Sequence, residues 1–211
     1  RRSWQQMQKE LGMESTEVRI YAETSQRNKT KFDRYNNLIR STAEAMAAVI
    51  GGATEVNVKE FDLNYQEPEF FSKRLALNQL SILQHESYFH QVRDMGRGAY
   101  FIESLTESLA QKAWDFFKEI EAQGGYLESL KNGFVQKAIS AQAEKQQAAF
   151  DKGDLILVGA NKYYNAQEQG NFIANSASSE SDKKSSTWTE ALPARRLSEQ
   201  LEYQQISQIQ N

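Results

Sequence analysis

The chain has 211 residues, 39% of them hydrophobic, and 25 Lys and Arg against 28 Asp and Glu for a net charge of −3. A pI near 5.6 and a mean hydropathy of −0.71 describe a polar, helix-rich globular chain. They exclude the basic stripe of a nucleic-acid binder, and no apolar run approaches the roughly 18 to 20 residues of a membrane span. There is no cysteine, which removes disulfides, thiolate nucleophiles and Cys-ligated zinc. No basic-then-apolar leader opens the sequence, so a cytoplasmic address is expected. The first residue is Arg1 rather than Met, and a piece of a longer protein is expected on that account.

In chain order, residues 18–22 (Val-Arg-Ile-Tyr-Ala) are β-branched and aromatic and predict a strand. Leu38, Thr42, Met46 and Val49 then recur at helical spacing until Gly51-Gly52 ends the run. Residues 54–58 alternate with period two and predict a second strand. Strand, helix and strand in this order form a βαβ unit with parallel strands. Leu75, Gln79, Ile82, Leu83 and Glu86 suit a further helix, followed by a turn at residues 94–98. The clearest helical stripe is Leu105, Leu109, Ala113, Phe116 and Ile120, closed by Gly124-Gly125. Trp114, Phe116 and Phe117 beside it are expected as core and interface material. Residues 134–150 predict another helix and residues 155–158 a short buried strand. Residues 166–189 turn to Ser, Asn, Gln, Glu and Lys, a composition that buries too little apolar area to offset its ordering entropy, and predict a linker. An amphipathic tail with Leu197, Leu201 and Ile209 ends the chain.

Candidate chemistry is sparse. His85 and His90 are the only histidines. Two ligands on one helical face need a spacing of three or four, and theirs is five, so they are expected as surface side chains. Gly96-Arg97-Gly98 lacks the Lys-Ser or Lys-Thr of a phosphate loop and predicts a turn. Glu23 and Lys59 stand at or just past the C-terminal ends of the two strands, the end that carries the site in parallel β/α architectures. A functional role and a mutual ion pair across a closed strand end are both open there.

Several runs together resemble the adenosylcobalamin-dependent acyl-CoA mutases, methylmalonyl-CoA mutase in particular. Residues 35–40 (Tyr-Asn-Asn-Leu-Ile-Arg) with 44–48 (Glu-Ala-Met-Ala-Ala) match a signature of that family in order and spacing. Residues 84–87 resemble its Gln-Glu-Glu-Ser, and Asp94, Gly98 and Tyr100 fall on its Asp-Pro-Trp-Gly-Gly-Ser-Tyr turn. Residues 103–106 and 119–125 fit the helices after it. Residues 158–163 (Val-Gly-Ala-Asn-Lys-Tyr) resemble its Val-Gly-Val-Asn-Lys-Tyr, and 195–199 (Arg-Arg-Leu-Ser-Glu) resemble a basic run of its small subunits.

The resemblance implies an α/β fold: the C-terminal portion of a (β/α)8 barrel over residues 1–100, a helical region completing or following it over 101–165, a polar linker over 166–190 and the tail over 191–211. It also implies departures. The catalytic His-Ser-Gln-Thr-Ser is here Tyr21-Ala22-Glu23-Thr24-Ser25 with Gln26-Arg27 in place of Gly-Trp, and His-Thr-Asn is Asn57-Val58-Lys59. The Arg of Ala-Arg-Asn-Thr-Gln is Leu77, and Pro-Trp-Gly is Met95-Gly96-Arg97. Framework runs persist while pocket positions change, which makes Tyr21, Glu23, Asn57 and Lys59 vestigial pocket positions and the chain similar to the non-catalytic small (beta) subunit. On this reading no residue here is catalytic or binds a cofactor or metal. Adenosylcobalamin sits on a large partner subunit, whose complex interconverts methylmalonyl-CoA and succinyl-CoA. The family's Asp-x-His-x-x-Gly cobalt-ligand motif is not among these residues. A fragment of a catalytic mutase with altered specificity and a stand-alone helical interaction module are the alternatives. An unclosed barrel is also expected to bare apolar inner strand faces, to self-associate, and to lean on the helices at 105–120 and 134–150 for its core.

Overall fold

The computed structural model describes residues 1–163, 165, 189 and 191–209, with no side-chain description for 208 and 209. The linker expected at 166–190 therefore lies almost wholly outside the described residues. Chain order is α1 (Arg2–Glu10), β1 (Tyr21–Glu23), α2 (Asn36–Ile50), β2 (Glu55–Asn57), α3 (Phe70–His85), a 3-10 turn (Phe89–Gln91), α4 (Tyr100–Ala122), α5 (Tyr126–Lys131), α6 (Phe134–Lys152) and α7 (Glu199–Ile209). The result is a mainly helical α/β chain with a small parallel sheet.

The two strands pair in parallel, Tyr21 opposite Glu55, Ala22 opposite Val56 and Glu23 opposite Asn57, with α2 as the crossover. The expected βαβ unit is present, and each strand is shorter than expected. Residues 18–20 stay outside the ladder, although the Ile20 carbonyl still accepts the amides of Thr54 and Glu55. Side chains alternate across a strand, so Ala22 and Val56 are half-buried while Tyr21, Glu23, Glu55 and Asn57 face outward. The open face of the sheet is consequently polar, and the expectation of bared apolar inner faces is corrected by that alternation.

Below the sheet, Ser41 and Ala45 of α2 and Ser72 and Ala76 of α3 are buried. Small side chains at these facing positions let two helix backbones approach closely. Ala45, Ala76, Leu83 and Val58 form one core, with Met46, Val56, Leu80 and Phe89 packed against it. Gln79 crosses the helix pair and donates to the Leu38 carbonyl and to Thr42 Oγ1, both at 2.7 Å.

A second core joins distant parts of the sequence: Phe150 at the end of α6, Leu157 and Ala160 in the turn after it, and Leu197 before α7, with Leu201 against them. Residues 155–158 make no strand. Val158 forms a single parallel bridge with Lys162, and Leu155, Ile156 and Val158 stay open while Leu157 is buried. A turn returning on itself hides one side chain in four, where a central strand would hide all of them.

The long α4 corrects another expectation. None of its 23 residues is buried. Leu105 is 47% exposed and Leu109 58%, with Phe116 and Phe117 at 39% and 36%. Phe116 stacks on Phe134 of α6 and Trp114 meets Phe117 at a tilt, yet Phe116 and Phe117 remain exposed. The stripe is real and its partner surface is not within the described residues, so α4 supplies no core for this chain.

Candidate functional site at the strand ends

The parallel register sets Glu23 directly across from Asn57 at the C-terminal end of the sheet. Tyr21 lies two residues before Glu23 and Lys59 two residues after Asn57. In extended chain that spacing returns each side chain to the same face. All four candidate side chains meet there. Lys59 Nζ is 2.6 Å from Glu23 Oε1, while Asn57 Nδ2 and Tyr21 OH each donate to Glu23 Oε2 at 3.1 Å. Thr24 fastens the strand ends beneath them. Its amide donates to the Asn57 carbonyl and its Oγ1 accepts the Lys59 amide at 2.9 Å.

Hydrogen bonding from Lys59, then from Asn57, holds the Glu23 carboxyl below the usual carboxylate range, against a smaller opposing effect of desolvation. A general base works best with a pKa near its operating pH and with a lone pair free for substrate. Glu23 has neither property, since both of its oxygens are engaged by neighbours. The Glu23–Lys59 ion pair, one of the two possibilities at the strand ends, is thus formed.

A second polar assembly was not legible as a site in the sequence. Lys29, in the loop after β1, is 1% exposed and pairs with Glu44 of α2 at 2.7 Å. Glu44 also accepts Asn28 Nδ2 at 2.6 Å and the Ser25 amide at 3.0 Å. Burial pushes the Lys29 ammonium pKa down, and the Glu44 carboxylate opposes that. Asn37 is fully buried. Its amide group donates to the carbonyls of Thr30 and Phe61 at 2.8 and 3.1 Å, and its oxygen accepts the Thr30 amide at 3.0 Å and Arg40 at 2.9 Å. Arg40 extends the chain to Thr30 Oγ1 and to the Val158 carbonyl. Asn161 closes the turn beyond by accepting the Leu157 amide and donating to the Leu155 and Phe150 carbonyls.

Asn37, Arg40 and Asn161 belong to the runs 35–40 and 158–163, and they act as ties between backbone segments. Gly159 belongs to the same joint. A Cβ there would stand 2.8 Å from Asp33 Cβ, and its φ of +79° disfavours side chains as well. The signal available in the sequence was the presence of Asn37 and Ser41 on the inward stripe of α2, where an ordinary amphipathic helix carries apolar residues.

The remaining candidates stay apart. His85 and His90 are both exposed, and His90 Nδ1 donates to the Gln84 carbonyl at 2.7 Å. Residues 95–98 form the expected turn, with Gly98 at positive φ. Among the described residues no group of three or more His, Cys, Asp or Glu is placed to hold a metal ion. Two shallow depressions, of about 290 Å³ beside Gln142 and Lys145 and about 360 Å³ beside Asn78 and His85, lie on helix faces away from the strand ends. No described helix is long and apolar enough to cross a membrane.

The model of the methylmalonyl-CoA mutase family matches residues 1–210. The methylmalonyl-CoA mutase of Rhizobium meliloti is 40% identical over 152 residues, covering 72% of this chain and 21% of that protein. The methylmalonyl-CoA mutase small subunit of Porphyromonas gingivalis is 36% identical over 155 residues, covering 74% and 25%. The mitochondrial methylmalonyl-CoA mutase of Bos taurus is 38% identical over 152 residues, covering 72% and 20%. The chain thus spans between a fifth and a quarter of the length of these relatives. The identity, the matched span and the buried joint built from the signature runs agree: the chain belongs to the methylmalonyl-CoA mutase family.

Proposed function

We propose that this chain is a non-catalytic, small-subunit piece of an adenosylcobalamin-dependent methylmalonyl-CoA mutase, contributing fold and interface to a catalytic large subunit. One observation carries the reading: the four side chains at the strand ends are spent on one another around Glu23. Radical chemistry needs an enclosed, preorganised pocket whose polar groups are aimed at the substrate. A carboxylate held as an anion by a cation, an amide and a phenol offers no such group.

The same face supports the barrel reading. Val56 packs against the core of α2 and α3 and Ala22 pairs beside it, while Tyr21, Glu23 and Asn57 are exposed on the other face, where barrel-interior side chains would stand. Residues 1–100 then form the last part of a (β/α)8 barrel, 101–165 the helical region after it, 166–190 a linker and 191–211 the tail. The bare stripe of α4 is where further protein would pack, and unpaired it favours self-association of the chain alone. A stand-alone helical module is disfavoured because α4 lacks a core of its own, and a catalytic fragment because it would need those strand-end groups free.

Adenosylcobalamin supplies a carbon-centred radical when bound, and this chain's residues do not fit it. Both histidines are exposed on the surface rather than held in an enclosed site, and the family's Asp-x-His-x-x-Gly cobalt-ligand motif is not among these residues. The cofactor is assigned to the partner subunit, and the complex to the cytoplasm. Titration of the purified chain with adenosylcobalamin tests the reading: no saturable change in the corrin spectrum is expected, and no methylmalonyl-CoA turnover until a catalytic large subunit is added. Stoichiometric corrin binding or turnover by the chain alone would overturn it.

A further inference from the structure

Residues 195–202, which include the basic run 195–199, make a dense set of contacts for which the subunit assignment gives no role. The Leu197 amide donates to the Arg27 carbonyl at 2.9 Å, and Arg27 returns a bond to the Arg195 carbonyl at 3.2 Å. Arg196 donates to the Lys29 carbonyl at 3.2 Å, and the Lys31 amide donates to Glu202 Oε1 at 2.8 Å. Backbone groups of residues 27, 29 and 31 are therefore satisfied from one side, as along the edge of a strand. Gln147 of α6 reaches the Leu197 carbonyl at 3.3 Å. Leu197 itself sinks to 8% exposure among Phe150, Leu157 and Ala160. Glu202 is 2% exposed and also takes Arg196 at 2.7 Å and Ser198 Oγ at 2.8 Å.

We propose that residues 195–202 are a self-ligand, and that the loop 27–31, one face of α6 and the turn 157–160 form a receptor groove for it. The groove reads a short Arg-Leu-Ser-x-x-x-Glu segment opening a helix. Leucine fills the apolar seat, and the arginine and glutamate are locked to each other as each ties the receptor's loop. The occupant in this chain is its own tail. The contacts are complete within eight residues and none is covalent, while the connection from 163 to 191 reaches up to about 95 Å when extended. Tethering raises the local concentration of the ligand without adding a contact, so recognition resides in the groove and operates in trans. This inference stands independently of the subunit assignment.

The test uses the full chain with a specific protease site placed between residues 170 and 185. After cutting, the fragment carrying the tail is expected to co-elute with the rest on gel filtration and to exchange with a labelled synthetic peptide of residues 191–209. Unlabelled peptides then compete. Glu202→Gln and Leu197→Ala peptides are expected to compete about 30-fold more weakly than the natural one, the effect of losing a charge-assisted pair or a buried leucine. Because the changes lie in the peptide, every competitor meets the same receptor, and circular dichroism after the tail is exchanged reads whether that receptor keeps its fold without Leu197 in its core. Departure of the tail on cutting, loss of the fold when the tail leaves, or equal competition by natural, altered and scrambled peptides would overturn the proposal.

Discussion

Two carboxylates, Glu23 and Glu44, are each held by a lysine, an asparagine side chain and one further donor, yet the lysines that hold them sit in opposite environments. Glu23 and Lys59 keep about a third of their side-chain surface in water, 35% and 32%. Lys29, the partner of Glu44, keeps 1%, while Glu44 keeps 24%. Water screens the first pair and competes for each of its bonds, so its members can be exchanged at little cost. The buried groups have no such substitute, and losing one leaves the others stranded. The comparison teaches that similar groups in similar number mark a tolerant surface in one place and an obligatory joint in the other.

The largest effect expected from this contrast comes at Asn37. Asn37→Ala strips partners from the Thr30 amide and carbonyl and from the Phe61 carbonyl, all in a region closed to water. A loss of about 3 to 5 kcal/mol is expected, measured as a shift in the urea midpoint at unchanged slope. A cost below about 1 kcal/mol would mean that the joint is not obligatory.

Gly159→Ala comes next. Its Cβ would meet Asp33 at 2.8 Å in a left-handed backbone conformation, and about 2 kcal/mol of destabilisation is expected. The same change at Gly98, also left-handed but with open space around it, should cost roughly half as much. Thermal unfolding of the two variants side by side separates backbone strain from the steric clash.

Leu109→Ser tests the bare helix stripe. At 58% exposure the substitution should move the stability of the monomer by less than about 0.5 kcal/mol. A cost of about 2 kcal/mol or more, the range for a buried leucine, would place α4 in a core after all. If the stripe mediates self-association, light scattering should show less of it in the variant.

The smallest effect on the fold is expected at the strand ends, where titration is the sensitive readout. Lys59→Ala removes the principal cause of the lowered Glu23 pKa, so the carboxyl should titrate closer to its ordinary value, followed by carbon NMR. The sign follows from linkage. A carboxyl whose folded pKa is lowered stabilises above its unfolded pKa and loses that contribution as pH falls through the folded value. Wild type should therefore lose this contribution at low pH, in the range just below ordinary carboxyl titration, and Lys59→Ala should show little of that dependence.

Much of the fold was legible because its signals are local. The β-branched runs, the helical spacing of Leu38 to Val49 and the glycine stops at Gly51-Gly52 and Gly124-Gly125 each act through a few neighbouring residues, and the βαβ unit follows from their order. The Glu23–Lys59 pair was legible for a related reason, since period-two alternation and a parallel pairing bring residues at equivalent strand ends together. The stripe of α4 was legible as a stripe but not as an exposed one. Periodicity reports which side chains share a face and says nothing of whether a second surface arrives to cover it.

What only the tertiary structure decided is the joint between distant segments. Asn37 against Phe61, Arg40 against Val158 and Glu202 against Lys31 span separations of 24, 118 and 171 residues. No composition or spacing within a window carries such pairings, because each depends on where the backbone leaves an amide or carbonyl without a partner. The sequence by itself determined the elements and the order in which they must be connected. The need to satisfy buried polar groups, a property of the packed chain as a whole, decided which of its asparagines, arginines and glutamates hold it together.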